Sequence, residues 1–154
     1  MFTSNEIAAE LDRIAEANGG ILIPEDVVES ARNPKSILHG EFDWDNNKAA
    51  EQWRLQQARQ LIRLSVITIG DVKTRRFFSL KVHRQSEDHG YRSTLVILAD
   101  EELKHQLVSD ALADMNRFQT KYAAIQELVT VFEAMQKAQV KLKAKTKRKE
   151  LQPV

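Results

Sequence analysis

Hydrophobic positions change their period twice along the chain. Ile7, Leu11, Ile14 and Ala15 recur at helical intervals behind Thr3 and Glu6, which have the spacing of a capping box, and Asn18-Gly19-Gly20 supplies a stop. A second short helix opens at Pro24, where the missing N–H costs nothing; Glu25 and Asp26 suit its N-terminus and Val27, Val28 and Ala31 face inward. Asn33-Pro34 ends it. The following linker carries Ile37, Leu38, Phe42 and Trp44, too apolar for a free loop, so it is expected to fold back over the core.

With Asp45 placed to cap it, a third helix is predicted from about Asn46 to Leu64. At 100° per residue, Ala49, Ala50, Trp53, Ala58, Leu61 and Ile62 cover a broad arc, which predicts packing on more than one side. The remaining stripe is Lys48, Gln52, Gln56, Arg59 and Arg63 and contains no carboxylate.

Between Ser65 and Ile97 the period becomes two. Val66, Ile67 and Ile69 before Gly70-Asp71 predict a strand and turn. Phe78, Leu80 and Val82 alternate with Ser79, Lys81 and His83 in a second strand, and Tyr91 to Ile97 offers a third after the polar connection Gln85 to Gly90. Three strands make a small antiparallel sheet if helices cover one face. Its other face is expected to carry Lys73, Arg75, Arg76, Lys81, Arg84 and Arg92.

No glycine or proline occurs between Gly90 and Pro153, and Asp100-Glu101-Glu102 is an acidic helix start. Val108, Ala111, Met115, Phe118, Tyr122, Ile125, Val129 and Phe132 follow a 3,4 repeat, a seam that demands a partner. Leu103, Leu107, Leu112, Leu128 and Val131 lie outside it and widen the apolar surface. A continuous helix from Asp100 to Lys143 would be on the order of 65 Å long, too long for one small domain, so it either breaks into a hairpin or projects and self-associates.

Composition adds limits. The 154 residues contain no cysteine, which excludes disulfides, Cys-type zinc sites, iron–sulfur clusters and thiol nucleophiles. The start lacks a basic region followed by an apolar run, and no stretch of about 18 apolar residues occurs, so the expectation is a soluble, cytoplasmic chain with no membrane partner.

The net charge of +1 hides a sorting into blocks: −7 over 1–45, +6 over 46–99, −4 over 100–136 and +6 over 137–154. Such blocks can face different partners or attract one another.

Catalytic signatures are poor. Gly19-Gly20 belongs to neither a phosphate loop nor a dinucleotide fingerprint, and no GxSxG or HExxH is present. His83, Asp88 and His89 are better read as polar strand and turn residues than as metal ligands, and Glu25 with Glu29 as helix-terminal charge. The expectation is no enzyme, no metal and no cofactor.

Nucleic-acid binding has more support. Three helices in succession fit a helix-turn-helix variant whose last helix meets the major groove. Gln52 and Gln56 have amides able to read adenine, Arg59 suits guanine or phosphate, and Lys48 and Arg63 suit phosphates. The basic sheet residues and the tail Lys137, Lys141, Lys143, Lys145, Lys147, Arg148 and Lys149 add backbone contacts. The segment from Asn33 to Asp45 is, however, far longer than a tight helix-turn-helix turn. For Trp44, Trp53, Phe77 and Phe78, core packing is preferred over base stacking.

The run Gly19-Gly20-Ile21-Leu22-Ile23-Pro24-Glu25-Asp26-Val27-Val28-Glu29-Ser30-Ala31-Arg32-Asn33-Pro34 is followed by Leu38-His39, Phe42, Trp44-Asp45, Ala49-Ala50, Arg54 and Gln57-Ala58-Arg59-Gln60-Leu61-Ile62. This pattern resembles small proteins encoded in tailed bacteriophages and prophages, and continues more loosely to Leu98-Ala99-Asp100. The resemblance implies a phage setting and carries over no functional residue. The lysine-rich end after Met135 departs from it.

The sequence therefore predicts an α+β, mainly helical protein: N-terminal helices, a small antiparallel sheet of about three strands, and a long C-terminal helix or helical hairpin. Its expected parts are a globular domain over 1–98, a helical oligomerisation or packing segment over 99–145, and a frayed basic tail over 146–154. The expected role is a non-catalytic, homo-oligomeric phage-type accessory protein that binds duplex DNA largely through backbone electrostatics. The alternative is a structural or host-modulating module that binds a host or phage protein and no nucleic acid.

Overall fold

The computed structural model describes residues 2–44, 48–84 and 90–150, without the side chains of Lys48, Ala49 and 146–150. Asp45, Asn46, the connection over 85–89 with Asp88 and His89, and the last four residues lie outside the described part, as do the side chains of Lys147, Arg148 and Lys149. The chain divides into two compact units, Met1–Leu107 and Val108–Val154. The division falls inside a helix.

In the first unit, α1 (Ser4–Ala17) opens with the predicted capping box: the Glu6 amide donates to Thr3 Oγ1 and the Thr3 amide donates to the Glu6 carboxylate. It stops where the Gly20 amide reaches back to the Ala15 carbonyl at 2.7 Å, with Gly19 at φ +63° and Gly20 at +84°. Strand β1 (Ile21–Leu22) follows, then α2 (Pro24–Arg32), with proline in its first turn.

The linker folds over the core as predicted. Leu38 is fully buried, and Ile37 and Trp44 pack at the core's margin. Trp44 Nε1 donates to the His39 carbonyl at 2.9 Å, and its ring stacks on that of His39. Leu11, Leu22, Val27, Val28, Leu38, Ile62 and Phe77 form the centre of the core.

Helix α3 (Lys48–Leu64) packs on α2. Its apolar arc is narrower than predicted. Ala58 and Ile62 are buried and Leu55 and Leu61 partly so, but Trp53 is 58% exposed, so the helix is covered on one side only. Space on the buried side goes instead to Arg54, 3% exposed, which the periodicity had not marked.

The strands differ in membership from the prediction. Val66–Ile69 (β2) turns at Gly70, φ +59°, into Val72–Arg75 (β3), forming a separate two-stranded ribbon with Val66 opposite Arg75 and Ile69 opposite Val72. The three-stranded antiparallel sheet has the order β1-β5-β4, where β4 is Phe77–Phe78 and β5 is Tyr91–Ser93. The expected strand through Val82 ends early because Lys81–Arg84 forms a helical turn, α4, and Tyr91 to Ile97 is a strand only to Ser93 before α5 (Thr94–Ala99).

Thr94 makes that switch. Its buried hydroxyl donates at the Arg75 and Arg76 carbonyls, 2.7 and 3.0 Å away, and its amide donates to Arg76 at 2.8 Å, turning the chain onto the base of the ribbon.

The C-terminal half is a hairpin. Helix α6 (Glu101–Tyr122) ends at an extended Ile125, a 3-10 turn covers Gln126–Leu128, and α7 (Val129–Glu150) returns. Gln139 donates to Asn116 at 3.0 Å and the Phe118 and Phe132 rings meet at 6.3 Å, which fixes the two helices as antiparallel.

The inner row is Val108, Leu112, Met115, Gln119 and Tyr122 on α6, Leu128 in the 3-10 turn, and Phe132, Met135, Gln139 and Leu142 on α7, with Phe132 buried and the others half-buried. This corrects the single continuous seam. Val108, Met115, Tyr122 and Phe132 belong to the inner row, whereas Ala111, Phe118, Ile125 and Val129 remain exposed. No described helix is long and apolar enough to cross a membrane.

Candidate nucleic-acid interface

One face of α3 is built by the helix period. Gln52, Gln56, Arg59 and Arg63 follow 4,3,4 spacing; all are exposed except Arg59, which is partly covered. Lys48 begins the same row, but its side chain lies outside the described residues. Two residues that the stripe had omitted, Trp53 and Gln60, also face outward beside it. The stripe of Gln52, Gln56 and Arg59 is one residue away from Trp53 and Gln60 in the helix, so plotting exposed arc rather than polar identity would have found both.

The nearest carboxylate on the helix, Glu51, is turned to the other flank. It accepts from Arg54 at 3.0 Å and from Arg32 at 3.2 Å, and the Arg54 bond holds its carboxyl below the ordinary carboxylate range. Arg54 also donates to the Asp43 carbonyl at 2.9 Å and lies over the Trp44 ring. This knot fixes α3 against the linker and α2 and leaves the outward face to the amides and arginines.

A second exposed basic face lies on the ribbon. Alternation places Val66, Thr68, Lys73 and Arg75 on one exposed face, and the more covered Ile67, Ile69 and Thr74 on the other. The ribbon springs directly from the basic end of α3. The Ser65 amide still bonds to Leu61 at 3.1 Å, and the Ser65 carbonyl accepts from Arg76 at 2.9 Å, so Arg63 and Arg75 come to the same corner of the backbone. Among the described residues, no carboxylate pairs with Arg59, Arg63, Lys73 or Arg75.

The other expected cations stand elsewhere. Arg76 is engaged by Asp12, with Nε 3.0 Å and Nη2 2.5 Å from one carboxylate oxygen. Arg92 is half-buried and its Nε lies 3.4 Å from His83 Nε2. Lys81 and Arg84 are exposed, but on α4 rather than on a sheet face, and each has an interaction partner. The single basic sheet face therefore resolves into a ribbon face of two cations, with Arg76 spent on holding α1. Core packing describes Phe77 and, at its margin, Trp44, but not Trp53.

Among the described residues, no cluster of three or more His, Asp or Glu is placed to hold a metal ion. Compared with protein-family models, curated proteins and solved structures, the chain matches none.

Proposed function

We propose that the protein is a phage-type accessory protein that binds duplex DNA without catalysis, using the outer face of α3 and the exposed face of the β2–β3 ribbon. The observation that carries this reading is the set of outward amides and cations Gln52, Gln56, Arg59, Arg63, Lys73 and Arg75 on α3 and the ribbon, whose four cations pair with no carboxylate among the described residues. A helix or a two-stranded ribbon is the shape that a major groove admits. The arginines and the lysine neutralise phosphates, while the Gln52 and Gln56 amides match the donor and acceptor pair of adenine.

A second reading, a module for a host or phage protein with no nucleic acid, draws on the exposed Leu95, Val96 and Leu98 of α5. Fluorescence anisotropy with a labelled duplex at about 50 mM salt separates the two. Binding that is weakened by Arg63→Glu and Arg75→Glu and retained in Lys104→Glu supports DNA; no binding by the wild-type chain supports the second reading.

A further inference from the structure

The chain holds two tryptophans and uses them in opposite ways. Trp44 is packed at the core's margin: its Nε1 donates to the His39 carbonyl, its ring stacks on His39, and the Arg32 and Arg54 guanidinium groups lie 5.9 and 5.4 Å from its centroid. Trp53 is 58% exposed, the most exposed aromatic side chain among the described residues. Within that set its ring has no aromatic or cationic partner and its Nε1 has no acceptor. An indole offers a large apolar face and one N–H donor, and here both are left to water.

The helix period supplies its surroundings. At 100° per residue, Gln60 and Gln56 lie about 20° and 60° from Trp53, and Arg63, Gln52 and Arg59 follow within about 120° on the same side. Glu51, the single acid of α3, lies about 160° away and is held by Arg54 and Arg32. Leu64, the other exposed large apolar residue of the helix, is about 16 Å farther along its axis. The indole therefore lacks the apolar neighbours on its helix that the centre of a protein interface gathers. A lone aromatic ring among amides and cations is instead the makeup of a platform on which a base stacks while arginines take the phosphates.

A base inside a duplex is covered above and below by its neighbours and offers no free π face to an outside ring; an unpaired base does. We propose that Trp53 stacks on an unpaired base, so that the DNA taken by the α3 face carries a single-stranded stretch beside its duplex. The proposal rests on this face binding DNA. Gln56 and Gln60 stand next to the ring to hydrogen-bond the edge of the stacked base, and Arg59 and Arg63 neutralise phosphates.

Fluorescence anisotropy on the full chain compares a labelled blunt duplex with the same duplex extended by a thymidine overhang, at about 50 mM salt. The overhang is expected to tighten binding about 5-fold or more, the gain from one stacked base. Trp53→Leu, which keeps an apolar side chain without a π face, is expected to abolish that gain and leave blunt-duplex affinity unchanged. Trp53→Phe is expected to keep most of the gain. Tryptophan emission adds a readout that needs no variant: overhang DNA quenches the wild type more than blunt duplex does. In Trp53→Leu, where only the packed Trp44 emits, that difference disappears.

Blunt duplex bound with no preference for the overhang, or a preference that survives Trp53→Leu, overturns this proposal and leaves the DNA reading standing. A wild-type chain that binds neither DNA overturns both and assigns the exposed ring to a protein partner. If the Trp53 variants unfold, the wild-type quench decides: equal quenching by the two DNAs overturns the proposal.

Discussion

Arg76 and Asp12, 64 positions apart, form a two-pronged ion pair that ties the base of the ribbon to the first helix. The side chains are 22% and 30% exposed, so water screens the pair only in part. The acidic first block and the basic second block thus attract each other within one chain. Asp12→Ala and Arg76→Ala are each expected to lower stability by about 1 kcal/mol, with most of that loss shared in a double-mutant cycle. Chemical denaturation of the four proteins checks it, and additive losses would contradict it.

Arg54 should be far less tolerant. Its guanidinium is buried, serves Glu51 and the Asp43 carbonyl, and covers Trp44. Arg54→Met keeps the stem but removes these bonds from the Asp43 carbonyl and from Glu51, which is left with Arg32. A loss of about 2–4 kcal/mol is expected, against less than about 0.5 kcal/mol for the exposed Gln60→Met on the same helix.

Two glycines make a matched pair. A Cβ on Gly90 would collide with Ile21 Cγ2 and sit 3.3 Å from the Leu22 carbonyl, because β1 runs past it; a Cβ on Gly40 meets nothing within 4 Å. Gly90→Ala is expected to cost about 1–3 kcal/mol, and Gly40→Ala to be neutral or slightly stabilising through the unfolded chain. Melting temperatures of both variants test the closeness of that strand contact.

Acid should loosen the α2–α3 junction. Arg54, then Arg32, holds the Glu51 carboxyl below its ordinary range, and Arg13 with the Ser30 hydroxyl does the same for Glu10. A folded-state value lowered below the unfolded one favours the charged fold. The contribution is therefore complete above the unfolded glutamate value, about 4.3, and is lost as pH falls through the depressed folded values. Melting temperature is expected to drop below about pH 4.5, and Glu51→Gln to start lower at pH 7 and drop less. Parallel wild-type and variant curves would contradict this.

Local signals were the most legible part of the sequence. The Thr3–Glu6 box, Pro24 and the apolar linker specify their structures through neighbours in the chain, and all three are present in the fold. The strands were less so. Phe78, Leu80 and Val82 alternate convincingly, but a two-residue pairing with β5 and the buried Leu80 at the start of α4 decide that segment. The hairpin joint was hidden as well, because Ala123 to Ile125 contains no glycine or proline. At the candidate interface, spacing alone placed Gln52, Gln56, Arg59 and Arg63 on one face, whereas Arg76's diversion to Asp12 depends on a contact with α1 that no local pattern records.

The claim that α3 and the ribbon grip DNA phosphates is tested most directly by the salt dependence of duplex affinity. With Arg59, Arg63, Lys73 and Arg75 on phosphates, log Kobs should fall against log salt with a slope of about −3 to −4, and each Gln substitution among them should make it shallower by about 1. A slope unchanged by all four substitutions, or no affinity at about 50 mM salt, would contradict it.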